Sequence, residues 1–168
     1  SEFCGLTLKD LDFENRRIRI DHQLYRDPNE MRLCVTKPKT ESGVRYIPMT
    51  DAVYNSFKNV IETRLSPKVE TMIDGYTGFV FLGRFGTPRL SGDVERVMKT
   101  VRERYNKRFP NNPLPYITPH VLRHTYCTNM VNAKVDIKSL QYLMGHSNVQ
   151  TTLNVYSHSS YEKAASEI

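Results

Sequence analysis

At 168 residues, with 39% hydrophobic and 25% charged residues, the chain suits one globular domain with a genuine core and excludes a disordered or fibrous class. No apolar stretch nears the roughly 20 residues that span a bilayer, and the opening Ser1-Glu2-Phe3-Cys4-Gly5-Leu6 lacks the basic start and apolar run of a signal peptide. A net charge of +6 suits a polyanionic partner such as nucleic acid, because lysines and arginines that neutralise phosphates release condensed counterions, but a merely well-solvated basic protein has the same balance.

Strands come early and helices late. Ile18 to Ile20, Leu33 to Val35 and Val44 to Ile47 are short runs rich in β-branched and apolar residues. The turn-prone Asp27-Pro28-Asn29-Glu30 and Lys39-Thr40-Glu41-Ser42-Gly43 separate them, which predicts a three-stranded antiparallel meander. From Thr50 the period changes: Val53, Phe57, Val60, Ile61 and Leu65 share a helical face, with Thr50 or Asp51 able to cap its start. A Gly-rich stretch from Gly75 to Gly86 holds an expected strand at Phe79 to Leu82. Val94, Val97, Met98, Val101 and Tyr105 then mark an amphipathic helix ending before Pro110. Its other face carries Arg96, Lys99, Arg102, Arg104, Lys107 and Arg108, either a solvated surface or one that tracks phosphates; Arg96, Lys99, Arg102 and Lys107 are the candidates for phosphate contact. Thr118-Pro119 predicts a capped helix running to about Asn132, Asp136 caps a short helix that stops at Gly145, and Ser147 can cap another through Tyr156. Ser160 to Ile168 reads as a further short helix. The expected class is α+β, mainly helical, with a small three-stranded antiparallel sheet near the N-terminus.

Three segments carry chemistry: Pro119-His120-Val121-Leu122-Arg123-His124-Thr125, Leu143-Met144-Gly145-His146-Ser147, and Thr151-Thr152-Leu153-Asn154-Val155-Tyr156-Ser157-His158. Residues three apart on a helix lie one turn above another, so His120 and Arg123 can address one bound phosphate. Gly145 permits a tight helix exit that leaves His146 at a loop, where an imidazole can point into a cleft. Taken singly, a His-x-x-Arg pair is a common surface feature and Tyr156, on a face with Val149, Thr152 and Leu153, is a core residue; the joint spacing carries the weight. His120 and His124, four apart, also raise a metal site, yet the metalloprotease pattern needs Glu where Val121 stands. Cys4, Cys34 and Cys127 are odd in number and form no C-x-x-C pair, so neither a disulfide framework nor a zinc knuckle is expected and a reducing cytosol fits.

Together these segments closely resemble the C-terminal box of the tyrosine recombinases, especially the integrases of conjugative transposons and phages. Thr36-Lys37-Pro38-Lys39-Thr40 before Arg45-Tyr46-Ile47-Pro48 resembles the family's β-hairpin lysine segment, so the likeness covers nearly the whole chain. Lys37 and Lys39 share strand parity, and the Lys-Thr pair entering the turn matches the family better at Lys39. The resemblance implies a catalytic domain over residues 1–168, without the core-binding and arm-binding domains. It also implies an arginine three residues before Glu2, which falls before Ser1; the sequence opens mid-element without an initiator Met, and the expectation is a cut end and an impaired fragment.

Site-specific DNA strand cleavage and rejoining follows from that resemblance. Tyr156 would attack the phosphodiester to leave a 3′-phosphotyrosyl link and a free 5′-hydroxyl, and a second 5′-hydroxyl could reverse the step without ATP, metal or other cofactor. Arg123, His120 and His146 would steady the charge gathering on the non-bridging oxygens, His120 could take the phenol proton, and Lys39 would protonate the departing oxygen. Glu2 would be a supporting carboxylate that orients the cationic cluster, or else a frayed terminal residue. The expected partners are double-stranded DNA recombination sites and further copies, the full-length protein acting as a tetramer on DNA in the bacterial cytoplasm. Rival readings are a basic DNA-binding module without catalysis, a type IB topoisomerase-like cleaving enzyme, and a metal-dependent hydrolase using His120 and His124.

Overall fold

The computed structural model describes residues 1–64 and 66–155, which group into two compact units, Ser1–Ser91 and one that begins at Gly92. Leu65, Tyr156, His158 and the helix expected from Ser160 lie outside the described residues.

The first unit opens with α1 (Glu2–Gly5) and a 3-10 turn, Leu8–Asp10. Thr7 N and Oγ1 both donate to Asp10 Oδ2, at 2.8 and 2.7 Å, and so hold that turn. β1 (Leu11–Asp12), β2 (Arg17–Ile20) and β5 (Arg45–Pro48) form a three-stranded antiparallel sheet in that order, with Ile18 opposite Ile47 and Arg19 opposite Tyr46. Along β2, exposed Arg17 and Arg19 alternate with buried Ile18 and Ile20, as a half-buried strand requires. The isoleucines join Leu6, Leu11, Met49, Phe57 and Val80 in the unit's core. Phe57 comes from α2 (Asp51–Thr63), whose start is capped by Thr50 Oγ1 accepting from Val53 N.

The meander is corrected. The run at Leu33 becomes β4 (Leu33–Thr36), which pairs only with β3 (Gln23–Arg26) in a separate hairpin, with Leu24 opposite Val35. β3 escapes a hydropathy reading because its two apolar residues sit between Gln23 and Arg26. Between β2 and β3 the buried His22 leaves the ladder to bond the Gly5 carbonyl at 2.7 Å and Asp21 Oδ1 at 2.6 Å, which lets a new hairpin begin. The expected strand at Phe79 to Leu82 is also corrected: it makes only isolated bridges, Thr7 with Phe79 and Leu82 with Pro88. Gly78 directly before it has a left-handed φ of 73°, and Gly86 at φ 76° turns the chain back so that Pro88 meets Leu82.

α3 (Ser91–Arg108) has no buried residue; Val97 and Val101 are 52% and 58% exposed, contrary to the core-facing stripe that its pattern predicts. Asn106 instead fastens the following loop, accepting from Leu114 N at 2.7 Å and donating to Leu114 O at 3.2 Å. The second unit's core is made by α4 (Pro119–Asn132) and α5 (Ile137–Met144), through Cys127, Val131, Leu140 and Met144. Both starts are as the sequence predicts: Thr118 Oγ1 accepts from Val121 N, and Asp136 Oδ2 accepts from Ser139 N. α5 ends on Gly145 at φ 66°, with Gly145 N bonded to Tyr142 O and His146 N to Gln141 O, the two bonds of a Schellman motif. The described part of α6 is residues 149–155. Its cap is Asn148, whose Oδ1 accepts from Gln150 N at 2.8 Å, and not Ser147 as expected. Asn148 stands directly before the first helical residue, where a side-chain oxygen reaches an orphan N–H. No described helix is long and apolar enough to cross a membrane.

Candidate active site

α4 presents His120, Arg123, His124 and Cys127 at spacings of three, four and seven, which is one face of a helix. Cys127 is buried at the base of that face, Arg123 is half-buried, and both histidines are exposed, their rings edge to face at 5.1 Å. Arg123 Nη2 donates to the carbonyl of Met144, one of the orphan acceptors at the end of α5. The guanidinium is thereby fixed at the helix end whose dipole favours a cation. One residue past Gly145, His146 Nδ1 lies 3.0 Å from Thr152 Oγ1 on α6, and Gln141 Nε2 donates to the His146 carbonyl at 3.1 Å.

His120, Arg123, His124 and His146 line one cavity of about 140 Å³ with Cys127, Met144, Thr151 and Val155. Among the described residues the lining offers a guanidinium and three imidazoles and no carboxylate, so its electrostatics favour an anion. Tyr156 follows Val155 directly in sequence and lies outside the described residues. A larger cavity on the first unit, about 330 Å³, is lined by Phe3, Ala52, Val53, Ser56, Phe57, Val60 and Phe81, so among the described residues its one polar side chain is Ser56.

Other nucleophiles near the cavity are poorly prepared. Burial pushes the Cys127 thiol up, with Arg123 opposing only in part, so the reactive thiolate is disfavoured. Burial likewise pushes the Tyr126 phenol up. Among the described residues His120 and His124 gather no third metal-ligating group; the one such grouping is Asp10, Asp21 and His22 in the first unit, already bonded internally and to Gly5 and Thr7.

The first unit holds Glu2 and Lys39. Glu2 is not frayed: its carboxylate takes both ends of the Arg45 fork, at 3.1 and 2.9 Å, and Arg45 is 4% exposed. Arg45 Nη1 also donates to the Gly43 carbonyl at 2.8 Å. A Cβ on Gly43 would stand 2.3 Å from Pro38 Cβ, so only glycine allows this closure beneath the lysine segment. Lys37 and Lys39 are exposed on the loop above it. That loop is not a hairpin turn, since it leads from β4 of one sheet to β5 of the other.

The basic face of α3 is not uniform. Arg96 and Lys99 are well exposed, paired loosely with Asp93 at 3.3 Å and Glu103 at 3.9 Å, and Lys107 is exposed. Arg102 is half-buried, its guanidinium 4.9 Å over the Tyr116 ring, and its buried Nε has no hydrogen-bond partner among the described residues. At 3.6 residues per turn it falls about 40° from Met98, beside the apolar stripe.

Sequence reasoning missed Thr152 and Arg45 as partners of His146 and Glu2. A threonine inside an apolar helical pattern and an arginine at a strand start carry no local signal of what they bond.

A His-x-x-Arg helix, a glycine exit that delivers a histidine beside it, and a small antiparallel sheet in an otherwise helical chain define a class, the α+β catalytic fold of tyrosine recombinases. The chain belongs to the phage integrase family, whose model matches residues 1–163. The transposase from transposon Tn916 of Enterococcus faecalis is 48% identical over 168 residues, covering 100% of this chain and 41% of that protein. A tyrosine recombinase XerC-like protein of Caldanaerobacter subterraneus subsp. tengcongensis is 26% identical, covering 94% of this chain and 41% of its own length. Among solved structures, the Tn1549 transposon integrase in complex with transposon right end DNA matches at a TM-score of 0.87 and 45% identity, over 99% of this chain and 52% of that one. The chain thus spans less than half the length of the curated relatives it matches.

Proposed function

We propose that this chain is the catalytic domain, residues 1–168, of an enzyme that cuts and rejoins DNA at specific sites through Tyr156. The observation that carries the reading is the single cavity lined by His120, Arg123 and His146, in a member of the phage integrase family. Attack on a phosphodiester places extra charge on its non-bridging oxygens, and fixed donors aimed there lower the barrier. Arg123 is such a donor, already anchored on the Met144 carbonyl, and its planar fork matches phosphate oxygens in pairs. His120 and His146 add hydrogen bonds, and His120 accepts the phenol proton as Tyr156 attacks phosphorus. The phosphorus–oxygen bond to the 5′ side breaks, Lys39 protonates that oxygen, and a 3′-phosphotyrosyl ester remains. A 5′-hydroxyl reverses the sequence on a second strand. Glu2, by holding Arg45, steadies the base of the Lys39 loop. Relatives that bear the names transposase and integrase support recombination between sites over simple relaxation. The acting form is a tetramer on two double-stranded DNA sites in the cytoplasm, with Arg96, Lys99 and Lys107 on phosphates.

The test uses the intact protein and a nicked transposon right-end duplex, in which loss of the short cleaved strand traps the intermediate. A protein–DNA adduct that resists denaturant, forms in the presence of chelator and is abolished by Tyr156→Phe is the expected result. Binding without any adduct would make the chain a DNA-binding module, and loss of activity in chelator would favour a metal-dependent hydrolase.

A further inference from the structure

Three threonines inside the described helices turn their hydroxyls onto the carbonyl four residues back. Thr63 bonds Asn59 O at 2.8 Å, Thr100 bonds Arg96 O at 2.9 Å and Thr125 bonds Val121 O at 2.9 Å. Thr152 bonds differently. It is 0% exposed, and its Oγ1 lies 3.0 Å from His146 Nδ1 instead. A buried hydroxyl needs a partner, and here the partner is a ring that lines the anion-favouring cavity.

The backbone of His146 is already fixed from the other side. Its N–H donates to the Gln141 carbonyl at 3.1 Å, and its own carbonyl accepts from Gln141 Nε2 at 3.1 Å. What these bonds leave undetermined is the rotation of the imidazole and which nitrogen carries its proton. The second question decides its chemistry. In a neutral ring, one nitrogen donates and the other accepts, and the bond made by one sets the role of the other.

We propose that Thr152 is a positioning residue: its hydroxyl donates to His146 Nδ1 and so keeps the ring proton on Nε2, the nitrogen that meets a phosphate oxygen. This inference rests on the role proposed above for His146 in strand cleavage. With the proton on Nε2, the ring donates to the oxyanion as charge develops. With the proton on Nδ1, it turns a lone pair toward the same oxygen and opposes the transition state. Thr152 touches no reacting atom and acts only through His146.

The experiment measures single-turnover adduct formation by the intact protein on the nicked right-end duplex, beside its affinity for the same DNA. Thr152→Val keeps the shape and removes the hydroxyl; it should slow the adduct by about tenfold while leaving affinity unchanged. Thr152→Ser keeps the hydroxyl and should stay within about twofold of the parent. In a His146→Ala background, Thr152→Val should cost nothing more. A Thr152→Val loss repeated in full without His146 would overturn the inference, because the hydroxyl would then serve the fold alone. Should the valine variant not fold, the serine variant decides, and a serine variant as slow as His146→Ala overturns it equally. A His146→Ala protein as fast as the parent, or an adduct in Tyr156→Phe, is a different failure: it removes the reading of the site and the inference with it.

Discussion

Arg123 is held before any substrate arrives, because the Met144 carbonyl occupies one of its donors, and its side chain lines the cavity. A guanidinium positioned in this way loses little freedom when charge develops beside it. Arg123→Ala should therefore slow adduct formation by roughly a hundredfold to a thousandfold while DNA affinity falls only severalfold. Equal losses in rate and affinity, read from single-turnover and gel-shift assays, would make Arg123 a docking residue only. The Glu2–Arg45 pair makes a different demand, since Arg45 is 3% exposed at its side chain and Glu2 33%. Glu2→Ala takes the carboxylate from a buried guanidinium that keeps its bond to the Gly43 carbonyl, and should lower stability by about 2 kcal/mol, below the usual cost of breaking a buried pair because Glu2 is part solvated. Urea midpoints of the two proteins check it, and an unchanged midpoint would return Glu2 to a frayed end. His120, Arg123 and His146 were legible in the sequence because helical spacing and a glycine exit are local rules. Their partners, Met144 and Thr152, lie 21 and 6 residues away across turns, and no pattern of residue types announces such bonds.

Among elements, the helices with a side-chain cap and a glycine stop were read nearly to the residue. α4 begins at Pro119 behind its cap Thr118, and α5 lies between its caps Asp136 and Gly145, since caps act within one turn and leave their signature in adjacent residues. Strand pairing was not legible in the same way. β4 has the composition of a core strand, yet its partner is set by the turn at Asp27, whose Oδ1 accepts from Asn29 N and Glu30 N, and by the departure of His22 from the ladder. The cap of α5 carries a pH prediction. The Ser139 backbone N–H, above other bonds there, holds the Asp136 carboxyl below its ordinary value of 3.8. A carboxyl depressed by folding adds stability that is full above its unfolded value and is lost as pH falls through the folded one. The stability gap between the parent and Asp136→Ala should therefore be constant from neutral pH down to near 3.8 and shrink below it. Urea midpoints at about pH 6 and about pH 3 measure this, and a gap that widens in acid would contradict it. At the other end, Gly145→Ala forces a side chain into the left-handed region at φ 66° and should cost about 1 kcal/mol. Because that turn delivers His146 to the cavity, the adduct rate should fall along with the melting temperature.

At the scale of the whole molecule, a net charge of +6 suits a polyanion or a merely well-solvated basic protein and does not say where a partner would bind. Fold class was legible because strands crowd the first 50 residues and helical periods follow them. The disposition of the basic helix was only partly so: a sequence wheel puts Arg102 with its basic neighbours, while the structure stacks it on Tyr116. Salt dependence separates the two kinds of arginine. Removing Arg96, Lys99 and Lys107 together should flatten the slope of log affinity against log salt by up to roughly 0.9 per lost phosphate contact. Arg102→Ala should lower the melting temperature and leave that slope unchanged; a flattened slope would put Arg102 back on the DNA.

All of these expectations converge on one bond between protein and nucleic acid. Protease digestion of the trapped complex, followed by mass spectrometry of the peptide still carrying nucleotide, locates that bond to a residue. A nucleotide on the phenol oxygen of Tyr156, linked through a 3′-phosphate, is the expected assignment. A nucleotide on Tyr126, on Cys127 or on any histidine would contradict the proposed chemistry outright.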